Sequence, residues 1–106
     1  MVAARPYRVI VSPEAFSDLD KILDYVKVQS HANAVKVIDT LWDAMTRLRE
    51  LPYRYRVVQG IRSADKQVRR MPVPPYLVYY RVAEQERVVR VLTVRHGSQR
   101  QPKRFR

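Results

Sequence analysis

The chain has 106 residues and no cysteine, so it has room for one domain and can use neither disulfides nor thiolate metal sites to hold it. A domain this small buries only about two-thirds of its unfolded surface, and no stretch reaches the roughly 20 apolar residues of a membrane span. The formal charge of +11 is lopsided: residues 1–46 carry five Lys/Arg against six Asp/Glu (net −1), and residues 47–106 carry sixteen against four (net +12).

The opening MVAARPYRVIV lacks a long apolar core and a small-residue cleavage site, so it reads as mature protein of the cytoplasm. Tyr7–Val11 is predicted as a short strand bounded by Pro6 and Ser12-Pro13. Ser12 is the expected N-cap, with Pro13 at the first helical position and Glu14 near the positive end of the dipole. Ala15, Phe16, Leu19, Ile22, Leu23 and Val26 recur at helical spacing, with Asp18, Asp20, Lys21, Asp24 and Lys27 on the other face. This predicts an amphipathic helix over 13–28. After a break at Gln29-Ser30-His31, a second stripe runs through Ala34, Val35, Ile38, Leu41, Trp42, Met45 and Leu48 and ends at Leu51-Pro52. So short a connection favours an antiparallel helical hairpin.

Residues 53–66 have no period and read as a loop. Strands follow over Val68–Val73, Tyr76–Val82 and Arg87–Arg95, joined by short turns and therefore expected to pair antiparallel. By alternation Tyr76, Val78, Tyr80 and Val82 share one face of the sheet, and Leu77, Tyr79 and Arg81 the other. The predicted fold class is α+β: a β-α-α-β-β-β two-layer sandwich, with the hairpin on a small, mainly antiparallel sheet. Residues 1–96 form the domain and 97–106 a basic tail. The sheet's other face is left open to a partner.

The chemistry is sparse. Gly60 and Gly97 alone cannot build a phosphate-cradling loop. His31 and His96 have no acidic or thiol neighbours with ligand spacing. No metal and no cofactor are therefore expected. His31 reads as a turn residue and Trp42 as core. The strongest site candidates are Arg69, Arg70, Arg81, Arg95, His96 and Arg100. Arginine pairs bidentately with phosphate or carboxylate, so the set predicts an acidic partner: nucleic acid, ribosome or an acidic protein segment. A histidine beside arginines could also serve general acid–base cleavage of a phosphodiester, with His96, Arg70 and Arg95 as the catalytic set. A solvated basic surface is the plain alternative. Binding is favoured over catalysis.

The run YRVIVSPEAFSDLDKILDYV, the LxxLP ending of the hairpin, VRRMPVPPYLVYYRV and VVRVLTVRHGSQR together resemble the RelE/ParE toxin superfamily, the ParE branch most of all, over roughly residues 7–100. The resemblance implies the same β-α-α-β-β-β order and a cognate antitoxin partner, with Leu19, Leu23, Val26, Trp42 and Tyr79 as candidate antitoxin contacts. It also implies one of two targets: DNA gyrase, inhibited by binding, or ribosome-bound mRNA, cut as RelE-like members do. Three departures point away from RNA cleavage: Leu77 where the ribonuclease branch commonly has arginine, no glutamate within Tyr53–Val58, and Gly97 rather than tyrosine after His96. Arg70, Arg95 and His96 are retained. A non-toxic basic nucleic-acid-binding domain is the third reading.

Overall fold

The computed structural model describes residues 5–60, 62–63, 67–99 and 104–105, the last pair and 62–63 by backbone alone. In chain order the elements are β1 (Arg8–Val11), α1 (Pro13–Lys27), α2 (His31–Arg47), β2 (Arg62–Ser63), β3 (Arg69–Val73), β4 (Tyr76–Ala83), β5 (Val88–His96) and β6 (Arg104–Phe105). The β-α-α-β-β-β frame is there, with two additions. Residues 62–63, inside the predicted loop, and 104–105, inside the predicted tail, form a two-stranded parallel ladder of their own. Neither piece has a hydrophobic period from which a two-residue strand could be read.

The main sheet runs β1-β5-β4-β3. The β3–β4 and β4–β5 pairs are antiparallel, as short turns require. β1 instead lies parallel to β5, Arg8 facing Val88 and Val11 facing Val91. The helical hairpin supplies the long crossover that parallel neighbours need. β3 runs straight through Pro72, which sits on an edge strand where a missing N–H is tolerated.

Both helices start where their caps dictate. Ser12 Oγ accepts from the Ala15 N–H at 3.1 Å and its hydroxyl donates to the Leu92 carbonyl at 2.9 Å, so one side chain caps α1 and ties it to β5. Ser30 caps α2 by accepting from the Asn33 N–H at 3.1 Å, which starts that helix at His31, a turn earlier than its apolar stripe. α2 ends at Arg47 and a turn carries the chain to Pro52. Leu48 is buried there, whereas Leu51, expected to close the helix, is exposed.

The core lies between hairpin and sheet: Ala15, Leu19, Leu41, Met45 and Leu48 meet Met71, Tyr76, Val78, Tyr80, Val89, Val91 and Val94. Tyr76, Val78, Tyr80 and Val82 all face this layer, as alternation predicts. A smaller cluster of Val68, Tyr79 and Leu92, flanked by Val58 and Leu77, fills part of the opposite face. Leu92 is the extra residue of a bulge: Tyr79 pairs with Thr93 and Tyr80 with Val91.

Asp18 departs from its expected place on the solvated side of α1. Its carboxylate accepts the Val94 N–H at 3.0 Å and the Thr93 hydroxyl. β1 ends at Val11, opposite Val91, so among the described residues β5 has no strand neighbour on that edge beyond the bulge. Asp18 supplies the acceptor that a strand would have given.

Candidate functional site

The face of the sheet away from the helices collects the arginines. Alternation and register put Arg8 and Ile10 of β1, Arg90 and Arg95 of β5, Arg81 of β4 and Arg70 of β3 on it. Arg81 stands directly opposite Arg90, and Arg90 directly opposite Ile10, giving one row across three strands. Arg81, Arg90 and Arg95 are half-buried, and Arg8 and Ile10 are exposed. Arg90 reaches Glu86 at 3.8 Å, an exposed pair. The Nε of Arg81 is buried without a hydrogen-bond partner.

The predicted arginine cluster is thus real only in part. Arg70, Arg81 and Arg95 share the outer face, whereas Arg69 has the parity of Met71 and turns the other way. Its guanidinium donates to the carbonyls of Tyr53 (3.3 Å) and Tyr55 (2.7 Å) and lies over the Tyr53 ring at 5.0 Å. Those contacts give Arg69 a role in pinning the segment after the hairpin. Arg100 lies outside the described residues.

His96 does not join the arginines. It pairs with Tyr76, an inward residue, while Arg95 pairs with Leu77, an outward one. Successive residues of a strand point to opposite faces, so Arg95 and His96, adjacent in sequence, are divided by the sheet. The imidazole packs edge-on against Tyr76, centroids 5.6 Å apart. Its Nδ1 accepts the Ser98 N–H at 3.1 Å, with the Ser98 hydroxyl 2.8 Å away; in the neutral ring this leaves the proton on Nε2. His96 also lines an open hollow with Lys21, Tyr25, Tyr76 and Gln99. A single general acid–base set of His96, Arg70 and Arg95, as the sequence suggested, is therefore not assembled.

Sequence reasoning missed a polar clasp at the other end of the sheet. The hydroxyls of Tyr7 and Tyr53 both donate to Glu84 Oε1 at 2.7 Å. Arg87 reaches Glu84 Oε2 at 3.1 Å and stacks over the Tyr7 ring at 4.0 Å. The two phenol hydrogen bonds and Arg87 hold the Glu84 carboxyl below its usual range. Burial, then the neighbouring carboxylate, pushes Tyr53 up to about 12. Arg87 adopts φ 54°, the left-handed region in which a non-glycine residue is held by its surroundings. A Glu-x-x-Arg turn between two strands was the available signal, but its tyrosine partners are distant in sequence.

The hairpin carries the exposed apolar surface. The stripe read from α2 was too wide: Ala34, Leu41 and Met45 are buried, whereas Val35 and Trp42, one position on from buried residues, are 46% and 37% exposed. On α1 the neighbour of buried Ala15, Phe16, is 49% exposed and meets Trp42 at a ring-centroid distance of 5.7 Å. Phe16 and Leu23 on α1, and Val35 and Trp42 on α2, are each seven apart and so share one face of their helix, and the Phe16–Trp42 contact joins the two faces into one apolar strip on the hairpin. Of the predicted antitoxin contacts, Leu19, Val26 and Tyr79 are buried within the chain and cannot present a surface without rearrangement. Leu23 and Trp42 remain accessible. Trp42, read as core, is a surface residue.

Among the described residues no helix is long and apolar enough to cross a membrane, and no group of three histidines or carboxylates stands close enough to share a metal ion.

The architecture, two helices over a four-stranded mixed sheet, is shared with several solved structures. A structure of the chromosomal ParDE toxin–antitoxin system of P. aeruginosa superposes with a TM-score of 0.70 at 18% identity, covering 88% of this chain and 98% of that one. The archaeal RelE–RelB complex of Pyrococcus horikoshii gives 0.61 at 16% identity over 90% and 99%. The RelBE2 toxin–antitoxin complex of Mycobacterium tuberculosis gives 0.55 at 22% over 86% and 98%. No curated protein sequence matches the chain. Residues 9–101 match the family described as the ParE toxin of the type II toxin–antitoxin system, parDE. The chain belongs to that family.

Proposed function

We propose that this toxin acts in the cytoplasm by binding DNA gyrase through the outer face of its sheet, and that a cognate antitoxin silences it by docking on the apolar strip of the hairpin. What carries binding over cleavage is the division of His96 from Arg95 and Arg70 by the sheet. A ribonuclease of this design would need an acid–base group and cationic stabilisers converging on one phosphodiester. The outer face instead offers arginines and apolar side chains for recognition. The strip of Phe16, Leu23, Val35 and Trp42 suits an amphipathic helix, whose anchors recur at similar spacing.

Charge reversal at Arg95 tests the target assignment. Inducing Arg95→Glu in growing cells is expected to lessen growth arrest by at least about tenfold in surviving cells, with the antitoxin still binding. A parallel assay of gyrase-dependent DNA breaks and of primer extension on mRNA identifies the target. Breaks without new mRNA ends support gyrase. New cuts within codons would replace it with the ribosome.

A further inference from the structure

The row Ile10–Arg90–Arg81 has a feature that folding alone does not require. Arg81 and Arg90 are Cα partners on neighbouring antiparallel strands, an arrangement in which like charges repel. Neither belongs to the core, and neither is fastened to a loop as Arg69 and Arg87 are, Arg90 reaching its turn through an exposed pair alone. Arg81 makes no ion pair among the described residues, and its Nε is buried without a partner. The carboxylate that approaches is Glu86, 3.8 Å from Arg90, with both side chains well exposed. The nearby Glu84 is already engaged by Tyr7, Tyr53 and Arg87.

From this we infer that the Arg81–Arg90 pair is a seat for a carboxylate side chain of an extended segment of the target protein. The inference rests on the outer face being the target-binding face and names what that face reads. Two arginines paired across neighbouring strands can clamp one carboxylate between them and cancel their mutual repulsion, and guanidinium, being weakly hydrated, suits a partly buried ion pair.

The surroundings favour polypeptide over nucleic acid. Ile10, next in the row, is 36% exposed and offers an apolar contact beside the charged one. The aromatic on this face, Tyr79, is 1% exposed and presents no ring for base stacking. A phosphodiester backbone is gripped by a track of solvated cations, whereas among the arginines of this face Arg81 and Arg90 stand directly opposite one another across two strands.

The test uses fluorescence anisotropy with three labelled probes at about 0.15 M salt: an octapeptide alternating glutamate with valine, its glutamine counterpart, and oligodeoxythymidine of similar length. The glutamate peptide is expected to bind the wild-type chain about tenfold more tightly than the glutamine peptide. Arg81→Gln and Arg90→Gln should each lose most of that difference. Arg81→Lys, which keeps the charge but not the fork, should restore only part of it, and Glu86→Gln, which removes the internal competitor, should bind at least as tightly as wild type. Because the substitutions relieve repulsion, Arg81→Gln and Arg90→Gln should melt no lower than wild type.

Equal binding of the two peptides, or indifference of the glutamate peptide to both Arg81→Gln and Arg90→Gln, overturns the seat. Oligodeoxythymidine binding that falls in these variants while peptide binding does not would overturn it in favour of nucleic acid. The underlying target-face reading fails separately, if Arg95→Glu leaves growth arrest intact, and the peptide measurement then still decides whether the pair holds a carboxylate.

Discussion

Asp18 shows how much one side chain can do at an unpaired strand edge. Thr93 is fully buried, and its hydroxyl and the Val94 N–H both depend on the Asp18 carboxylate. Asp18→Ala leaves two donors without an acceptor and is expected to cost about 1–3 kcal/mol, read as a lowered urea midpoint with an unchanged slope. The clasp around Glu84 makes a different prediction. A carboxyl whose folded pKa is depressed contributes stability that is present above its unfolded value, near 4.5, and lost as pH falls through the lower folded one. Tyr53, raised to about 12, contributes stability that is present below pH 10 and lost as pH rises toward 12. Urea midpoints across pH should therefore decline at both extremes. Glu84→Gln should flatten the acid limb and Tyr53→Phe part of the alkaline one.

None of these side-chain roles was legible from spacing. Asp18 falls on the polar side of a helical wheel, and nothing in the local sequence says that β1 stops short of Val94. Arg69 and Arg81 look alike in sequence, yet strand parity sends them to opposite faces. Alternation within β4, by contrast, sorted every tyrosine correctly because its period is two and both faces are partly apolar.

At the scale of elements, caps and turn residues placed α1 and the β3–β4–β5 meander to within a residue or two. The parallel β1–β5 pairing was not legible, because it joins residues about eighty apart and leaves no local pattern. The apolar stripes of the helices were read too broadly for a physical reason: period alone cannot tell a side chain facing the core from one a hundred degrees round the helix that faces a partner. That surplus is the exposed strip of Phe16, Val35 and Trp42 on the hairpin. Trp42→Ala should therefore destabilise the isolated chain by less than about 2 kcal/mol, since its ring is already partly exposed, yet weaken antitoxin binding by about 2 kcal/mol or more, as buried tryptophan anchors typically do. Calorimetric titration against the antitoxin, beside a melting curve, separates the two effects. A similar loss in both would make Trp42 a core residue after all.

Seen as one molecule, the chain has a single main core to which both helices and all four long strands contribute. Helices of 15 and 17 residues are marginal by themselves in water. Loss of helix by circular dichroism and loss of tertiary packing by tyrosine fluorescence should therefore coincide in one transition. The charge of +11 works against compactness through self-repulsion, so moderate salt should raise the melting temperature of the isolated chain.

The central position of β5 has a temporal corollary. Val88–His96 is the last long strand to be translated, yet it separates β1 from β4 and carries Asp18's partners. Until it emerges, β1 has no neighbour, the hairpin has little to lie upon, and Arg90 and Arg95 do not yet exist. A nascent polypeptide interrupted before Val88 is thus expected to be inert, so that synthesis of a harmful product and acquisition of its harmful form coincide at the final moments of translation.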